Sequence, residues 1–538
     1  MATAQSGVVS ALTPGITTVR VGQGDATCDV PVEVMSPLVD GDVRATVLDV
    51  RTGRPIPGVP VQLRMVTGTT FVAVTDPGGT VHFAEAGVDA EIIDVSAFPQ
   101  SGWNWATYVR PGTADVVLFL EPRAETSPRE VTVTFDYRRS APPRGDVKLG
   151  LASPSTPWRL SPRLDMVSLE GPPRLVDISI PSVSIDEQDI PWPSHLTEML
   201  NTEAIVREAR LLFQDCAQGD ACLGWVWGLA VQIPLNRFPL FGVPYQERGG
   251  LMWEWTALLR NGYHVVFPLA FHETETAVFR ELNPVWPRTR LSVWRVPHLP
   301  HAPDGRVMTQ ILLLTGANVP GGGFIPLGFD AVSDGCETTE RYQCRLSPGF
   351  DGVVSCADNL ATVVLDECAG LVAGDLALNW APAHSGLEWS QPVTVAMASD
   401  PTEEGRAERS VSMLLAWGTR PTTDNVNSFP AQRFLAFPDA TMEASGVVVG
   451  RAAPGAHLHR VHLSGDELSW VITFQPGGTQ FALEIPPTPP EVTPGSFGYA
   501  GVEAVQFPMA VTMADVAGLS SVRAGTWVED AIAISRTR

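Results

Sequence analysis

The chain has 538 residues and a formal net charge of −23, with Lys148 as its single lysine. An acidic chain without a basic stripe argues against binding to nucleic acid or to anionic membranes. Its 48 glycines and 47 prolines, together with abundant valine and threonine, favour strands joined by turns, and the length suits roughly three or four domains.

Residues 1–40 predict an N-terminal strand or arm, and Gly41–Pro122 carries the clearest pattern. Apolar residues alternate with period two, as in Val59, Val61 and Leu63, which predicts strands with one buried face. Turn chemistry separates these runs at Pro55–Gly58 and Asp76–Gly79. The segment is therefore predicted to be an antiparallel β-sandwich.

The same segment resembles the carboxypeptidase-regulatory-like, or transthyretin-like, domain. The resemblance rests on VLDVRTGRPIPGVPVQL from Val47 to Leu63 and on VTDPGGTVHF from Val74 to Phe83. It covers residues 41–122 only. It implies an extracytoplasmic β-sandwich accessory domain of a carbohydrate-binding-like fold group, and it brings no catalytic residue.

Residues 123–440 predict a central β-rich region with one helix and disulfide loops, and residues 441–538 a C-terminal β-sandwich. Thr202–Asp215 places Ile205, Ala209, Leu212 and Phe213 at helical spacing, which predicts an amphipathic helix. Gly316–Gly328 predicts a glycine-rich loop. Gln475–Gly478 predicts the turn of a hairpin between Leu468–Phe474 and Thr479–Ile485.

Six of the seven cysteines fall into close pairs that predict the disulfides Cys216–Cys222, Cys336–Cys344 and Cys356–Cys368, with Cys28 left over. Disulfides indicate an oxidising compartment. Met1–Gly7 lacks the features of a signal peptide, so we expect a mature form whose export signal was removed. No apolar run approaches the ~18 residues of a transmembrane helix.

Two groups of side chains are candidate sites, and each has a plain structural alternative. Trp103 and Trp105 are two residues apart and share a face if extended, so they could form a sugar-stacking platform or belong to the core. His457, His459 and His462 could bind a metal, with Asp466 or Glu467 nearby, or line a solvated strand face. No catalytic motif and no cofactor is indicated.

These features predict a bacterial, mainly β protein of the cell envelope or exterior that binds a protein or glycan at the cell surface. A non-catalytic interaction scaffold is the first hypothesis. The alternatives are a carbohydrate-binding protein built on paired tryptophans, and a metal-dependent hydrolase built on the three histidines. The sequence favours a non-enzymatic role and leaves the oligomeric state open.

Overall fold

A computed structural model describes the side chains of part of the chain and the strand bounds of further segments. The described side chains lie in residues 38–50, 54–84, 86, 91–121, 123, 292–298, 311, 313–317, 327, 378, 391–398, 411–423, 425–465, 468–490, 492, 497–518 and 531–537.

The chain is mainly β, which confirms the predicted fold class. The strands before residue 123 are β1 (Ala2–Gln5), β2 (Val8–Ala11), β3 (Gly15–Gln23), β4 (Ala26–Val34), β5 (Val43–Asp49), β6 (Pro60–Met65), β7 (Thr70–Val74), β8 (Thr80–Phe83), β9 (Ile92–Ala97), β10 (Trp105–Val109) and β11 (Asp115–Leu120).

The middle of the chain continues with strands β12 (Arg129–Asp136), β13 (Asp146–Ser155), β14 (Arg174–Ser179), β15 (Val206–Phe213), β16 (Gly224–Pro234), β17 (Tyr263–Phe271), β18 (Thr276–Phe279), β19 (Arg290–Val296), β20 (Gln310–Val319), β21 (Gly323–Ser333), β22 (Cys344–Leu346), β23 (Val354–Cys356), β24 (Gly374–Trp380), β25 (Gln391–Ser399) and β26 (Ser410–Trp417).

The remaining elements are β27 (Val426–Ser428), β28 (Asp439–Met442), β29 (Val447–Arg451), β30 (Leu458–Ser464), β31 (Ser469–Phe474), β32 (Gln480–Glu484), β33 (Gly498–Gln506), helix α1 (Met513–Ala517) and β34 (Ala533–Thr537). The hydroxyl of Thr512 accepts the Asp515 backbone N–H, and the Asp515 carboxylate accepts the Thr512 N–H, so a capping box starts α1.

One long sheet is the largest element of the described part of the molecule, and two smaller sheets pack against it. Its 15 strands run in the order β27-β19-β24-β21-β20-β25-β26-β34-β33-β30-β31-β10-β9-β6-β7. Smaller sheets β11-β5-β8 and β28-β29-β32 bury apolar side chains against it. The resulting layers give a β-sandwich-like fold.

The long sheet is packed on both faces. We call the core shared with β5, β8 and β11 the front core; it contains Val47, Val61 and Leu118. The rear core, shared with β28, β29 and β32, contains Trp105 and Trp470. A further cluster around Trp294 and Phe429 covers the sheet towards β19. Burial on both faces removes far more apolar area from water than a sheet with one solvated face.

The two turns predicted in residues 41–122 are confirmed, and they contact each other. The Ile56 N–H donates to the Val47 carbonyl at 2.9 Å, and the Thr75 hydroxyl joins the Ile56 carbonyl to the Val59 N–H, with both distances 2.9 Å. Gly79 has φ +71°, and a Cβ there would lie 2.8 Å from Cβ of Pro55. Only glycine fits this close approach.

Strand β10 pairs in parallel with β31, from Trp105 opposite Trp470 to Tyr108 opposite Thr473. Because these strands are more than 360 positions apart in the chain, the ladder joins residues 41–122 to the C-terminal region within one sheet. The division of the chain into domains stays a prediction.

The predicted amphipathic helix at Thr202–Asp215 is wrong over its central residues. Val206–Phe213 forms strand β15, which pairs antiparallel with β12 along its whole length. Cross-strand hydrogen bonds satisfy the backbone groups that a helix would have bonded internally, so tertiary pairing overrides the local periodicity. Helix α1 lies elsewhere, at Met513–Ala517.

The predicted C-terminal hairpin is also wrong, although its two strands exist. β31 pairs with β30 and β10 in the long sheet, whereas β32 pairs with β29 in the smaller sheet. Gln475–Gly478 therefore carries the chain from one layer of the sandwich to the next. The turn residues allow a reversal of direction in either arrangement, and burial of Phe474 and Leu483 in the rear core selects this one.

The predicted glycine-rich loop at Gly316–Gly328 is mostly strand. β20 continues to Val319 and β21 begins at Gly323, so only a short connection separates two long antiparallel strands. A register shift between Thr315 and Gly316 accommodates the glycine-rich stretch.

Candidate functional site

Three charged side chains lie side by side on the long sheet, across β30, β33 and β34. Arg460 is directly opposite Glu503, and Glu503 is directly opposite Arg536. Arg460 is 5% exposed, Glu503 0% and Arg536 7%. Val505 and Ile534, two residues along on the same face, belong to the front core. The charged row is therefore embedded in apolar packing.

His462 completes this cluster. Its Nε2 lies 3.0 Å from Oε2 of Glu503, and Nη1 of Arg460 lies 3.6 Å from the same oxygen. Burial lowers the pKa of His462 to about 4, although the Glu503 carboxylate opposes that change. The imidazole is therefore neutral at pH 7, and its Nε2–H donates to the carboxylate.

Glu503 is ionised. Burial alone would raise its pKa, but the hydrogen bond from His462 and the charges of Arg460 and Arg536 outweigh burial, so the pKa lies below its ordinary value. A carboxylate held between two guanidinium groups is the arrangement expected of an internal ion cluster that fixes strand register. We therefore interpret this row as structural.

The polar row continues across β31 and β10. Thr473 lies opposite Arg460, and Tyr108 lies opposite Thr473. Burial raises the pKa of Tyr108 to about 12, while the charge of Arg460 acts in the opposite direction. Five adjacent strands thus contribute one polar or charged side chain each to the front face.

The predicted metal-site histidines do not converge. His459 lies on the rear face of the sheet and His462 on the front face, because side chains alternate along β30. His457 precedes that strand and stacks on Phe507. The Phe507 N–H donates to Nδ1 of His457 at 3.2 Å, and the Ala453 N–H donates to Nε2 of His459 at 2.9 Å.

His459 is fully buried, with its ring tilted against Phe474 and Phe481, and burial lowers its pKa to about 4. Among the described side chains, no group of three or more His, Cys, Asp or Glu residues is placed to hold a metal ion. Asp466 and Glu467, the other suggested ligands, lie outside the described residues.

The predicted tryptophan platform is not formed by Trp103 and Trp105. Trp105 is 3% exposed in the rear core, whereas Trp103 is half-buried against the front core. Strand β10 begins only at Trp105, so the alternation that would put both rings on one face does not extend back to Trp103.

Trp105 is instead part of an aromatic cluster with Phe98, Trp470 and Phe497. Its ring meets Phe98 edge to face at 5.0 Å between centroids, and Trp470 at 5.4 Å and 75°. The indole Nε1 donates to the carbonyl of Pro99 at 3.1 Å. Edge-to-face packing and a satisfied indole N–H are typical of aromatic side chains that stabilise a core.

A buried polar chain crosses the rear face beside these aromatics. Nε1 of Trp470 donates to the Thr107 hydroxyl at 2.9 Å, which donates to the Ser96 hydroxyl at 2.9 Å. The Ser96 hydroxyl reaches Oδ1 of Asp94 at 3.5 Å, and Nε of Arg64 donates to Oδ2 at 2.7 Å. The chain thus links four neighbouring strands of the long sheet.

Sequence reasoning missed both polar networks. Charged residues such as Glu503 and Arg460 normally face water, so their residue types alone gave no reason to place them in the core. The available signal was that both alternating rows of GYAGVEAVQ are otherwise mostly apolar, so Glu503 falls among apolar side chains whichever row is buried. The cysteine side chains lie outside the described residues, so the three disulfides stay predictions.

Within the part of the chain that the structure describes, no helix has the length and apolar character needed to cross a membrane. No protein-family model and no curated protein sequence matches this chain.

Proposed function

We propose that this chain is a non-catalytic interaction scaffold of β-domains that works in the bacterial cell envelope or outside the cell. The observation that carries the proposal is that three valines of the last hairpin of the long sheet are exposed. Val66 is 66% exposed, Val72 42% and Val74 58%, and all three belong to β7 or to the turn before it. Neighbouring exposed apolar residues are typical of a recognition surface.

The internal polar networks support a rigid platform for such a surface. Arg460, Glu503 and Arg536 lie opposite one another on three strands of the front face, and Asp94 and Thr107 belong to a second network on the rear face. A surface built on a pre-organised sheet loses little conformational entropy on binding.

The extracytoplasmic location rests on the predicted disulfides and on the family resemblance. The resemblance gains support from the contact between its two motif segments, where Gly79 packs on Pro55 and Thr75 bridges Ile56 and Val59. Burial of Trp105 gives the carbohydrate-binding alternative no specific support. The hydrolase alternative also gains no specific support, because His459 and His462 lie on opposite faces of the sheet.

The test is cross-linking of the tagged full-length chain in the cell that makes it, followed by cell fractionation and quantitative mass spectrometry. We expect the chain in the envelope or extracellular fraction, with one protein recovered in comparable molar amount. Recovery in the cytosol alone would overturn the location. Recovery without any enriched protein, from a fraction where the chain is abundant, would overturn the scaffold role.

A further inference from the structure

We propose that β7 is a docking edge that takes up an extended, uncharged segment of another protein as an additional strand. This inference rests on the proposed scaffold function and names the surface and the chemistry of its partner. β7 is the last strand in the order of the long sheet, and among the strands that the structure defines it pairs with β6 alone.

The hydrogen-bond pattern decides which backbone groups face the open side. The Thr75 N–H donates to the Val59 carbonyl, and the Met65 N–H donates to the Thr69 carbonyl. In an antiparallel ladder alternate residues bond to the same neighbour, so Phe71 and Ala73 also face β6. The N–H and C=O groups of Thr70, Val72 and Val74 therefore point away from β6.

The position of Pro60 agrees with this pattern. Pro60 has no N–H, and it lies opposite Val74, whose backbone groups we assign to the open side. The ladder between β6 and β7 therefore loses no hydrogen bond at this position.

The side chains follow the same alternation. Thr70, Val72 and Val74 are exposed, whereas Phe71 and Ala73 are half-buried against the front core. Residues 66–75 contain no charge and no proline in a chain of net charge −23. Charges, prolines and bulges normally protect edge strands from pairing with other chains, and this strand has none of the first two.

This geometry specifies the partner. Three outward N–H and three outward C=O groups, spaced two residues apart along a strand, match another extended polypeptide and not a sugar or a nucleic acid. The added strand would lie beside Val72 and Val74 on one face and beside Phe71 and Ala73 on the other, so apolar or hydroxyl side chains suit both of its faces. A second copy of the chain would bring its own charge of −23, which favours a different protein.

The experiment uses the full-length chain and a fluorescein-labelled, end-blocked peptide of about seven alternating threonine and valine residues, which covers a typical strand. Fluorescence anisotropy measures the affinity, and amide hydrogen exchange locates the peptide. We expect saturating peptide to slow exchange at Thr70, Val72 and Val74 by at least about tenfold.

Substitutions separate backbone pairing from general hydrophobic contact. Val72→Pro removes an N–H that faces the open side and spares the β6 ladder, so peptide affinity should fall at least about tenfold with little change in melting temperature. If that variant fails to fold, Val72→Lys takes its place with the same expectation. The matched control is Val39→Lys, at a valine that is 69% exposed and lies outside any strand, and its affinity should stay within about twofold of the parent.

Three outcomes would overturn the inference: no binding at millimolar peptide, binding that Val72→Lys leaves intact, or equal losses in the two lysine variants. Sedimentation that reveals a dimer abolished by Val72→Lys would replace the foreign partner with a second copy. If a native partner still cross-links to the Val72→Lys chain, the proposal that β7 is the docking edge is wrong, while the scaffold function still stands.

Discussion

Removing the charge of Glu503 should destabilise the fold strongly. Glu503→Gln keeps the shape and an oxygen that can accept from His462, but it leaves Arg460 and Arg536 buried without their carboxylate. The Arg460–Glu503 distance is 3.6 Å, and at an effective dielectric constant of about 20 two unit charges at such a separation attract by about 4–5 kcal/mol. Breaking a buried pair typically costs about 3–5 kcal/mol, and we expect a loss of that size.

The matched control is Glu484→Gln. Glu484 also pairs with an arginine, Arg64, at 3.8 Å, but its side chain is 75% exposed. Solvent screens such a pair, so its loss should change the free energy of unfolding by less than about 1 kcal/mol.

Urea-induced unfolding at pH 7, followed by tryptophan fluorescence, measures both changes, because Trp105 and Trp470 lie in the same long sheet as Glu503. Equal losses in the two variants, or a loss below about 1 kcal/mol for Glu503→Gln, would refute the argument that a buried ion cluster fixes these strands.

Three further predictions concern pH, the tryptophans and the cysteines. The pKa of His459 and His462 is about 4 in the folded chain and near 6.5 when unfolded, so the unfolded chain binds more protons between those values. Urea titrations should therefore show a free energy of unfolding that keeps its full histidine contribution above pH 6.5 and falls as the pH is lowered from 6.5 to 4. The total loss at pH 4 should be about 3 kcal/mol per histidine. A free energy of unfolding that does not change over this pH range would contradict the prediction. In the same assay, Trp105→Ala should lower the free energy of unfolding by about 3–5 kcal/mol, and Trp103→Ala should lower it clearly less because Trp103 is only half-buried. A larger loss for Trp103→Ala than for Trp105→Ala would contradict the argument from burial. Thiol counting under denaturing, non-reducing conditions should find one free cysteine of the seven, and finding seven in protein isolated under oxidising conditions would remove the disulfides and the support they give to the location.

Local patterns were sufficient to predict several elements. Period-two alternation of apolar residues in the sequence predicted β6 and β12, and both segments are strands, although the side chains of β6 are buried on both faces. The turns at Pro55–Gly58 and Asp76–Gly79 were predictable because proline and glycine restrict or extend φ on their own, before any tertiary contact forms.

Which strands pair with each other was not predictable from local patterns. Gln475–Gly478 has the composition of a hairpin turn, yet β31 and β32 join different sheets, and residues 202–215 have helical spacing, yet β15 pairs with β12. In each case hydrogen bonds and burial supplied by distant strands outweigh propensities worth only a few tenths of a kcal/mol per residue.

The sequence by itself determined that this is a mainly β protein, with its strands and several of its turns, because alternation and turn chemistry act over a few residues. Only the tertiary structure decided which side chains became internal. The β10–β31 ladder buries Trp105 against Trp470, and the register of β30, β33 and β34 sets Glu503 between Arg460 and Arg536. Burial and ionisation depend on neighbours brought from hundreds of residues away, and no local pattern carries that information.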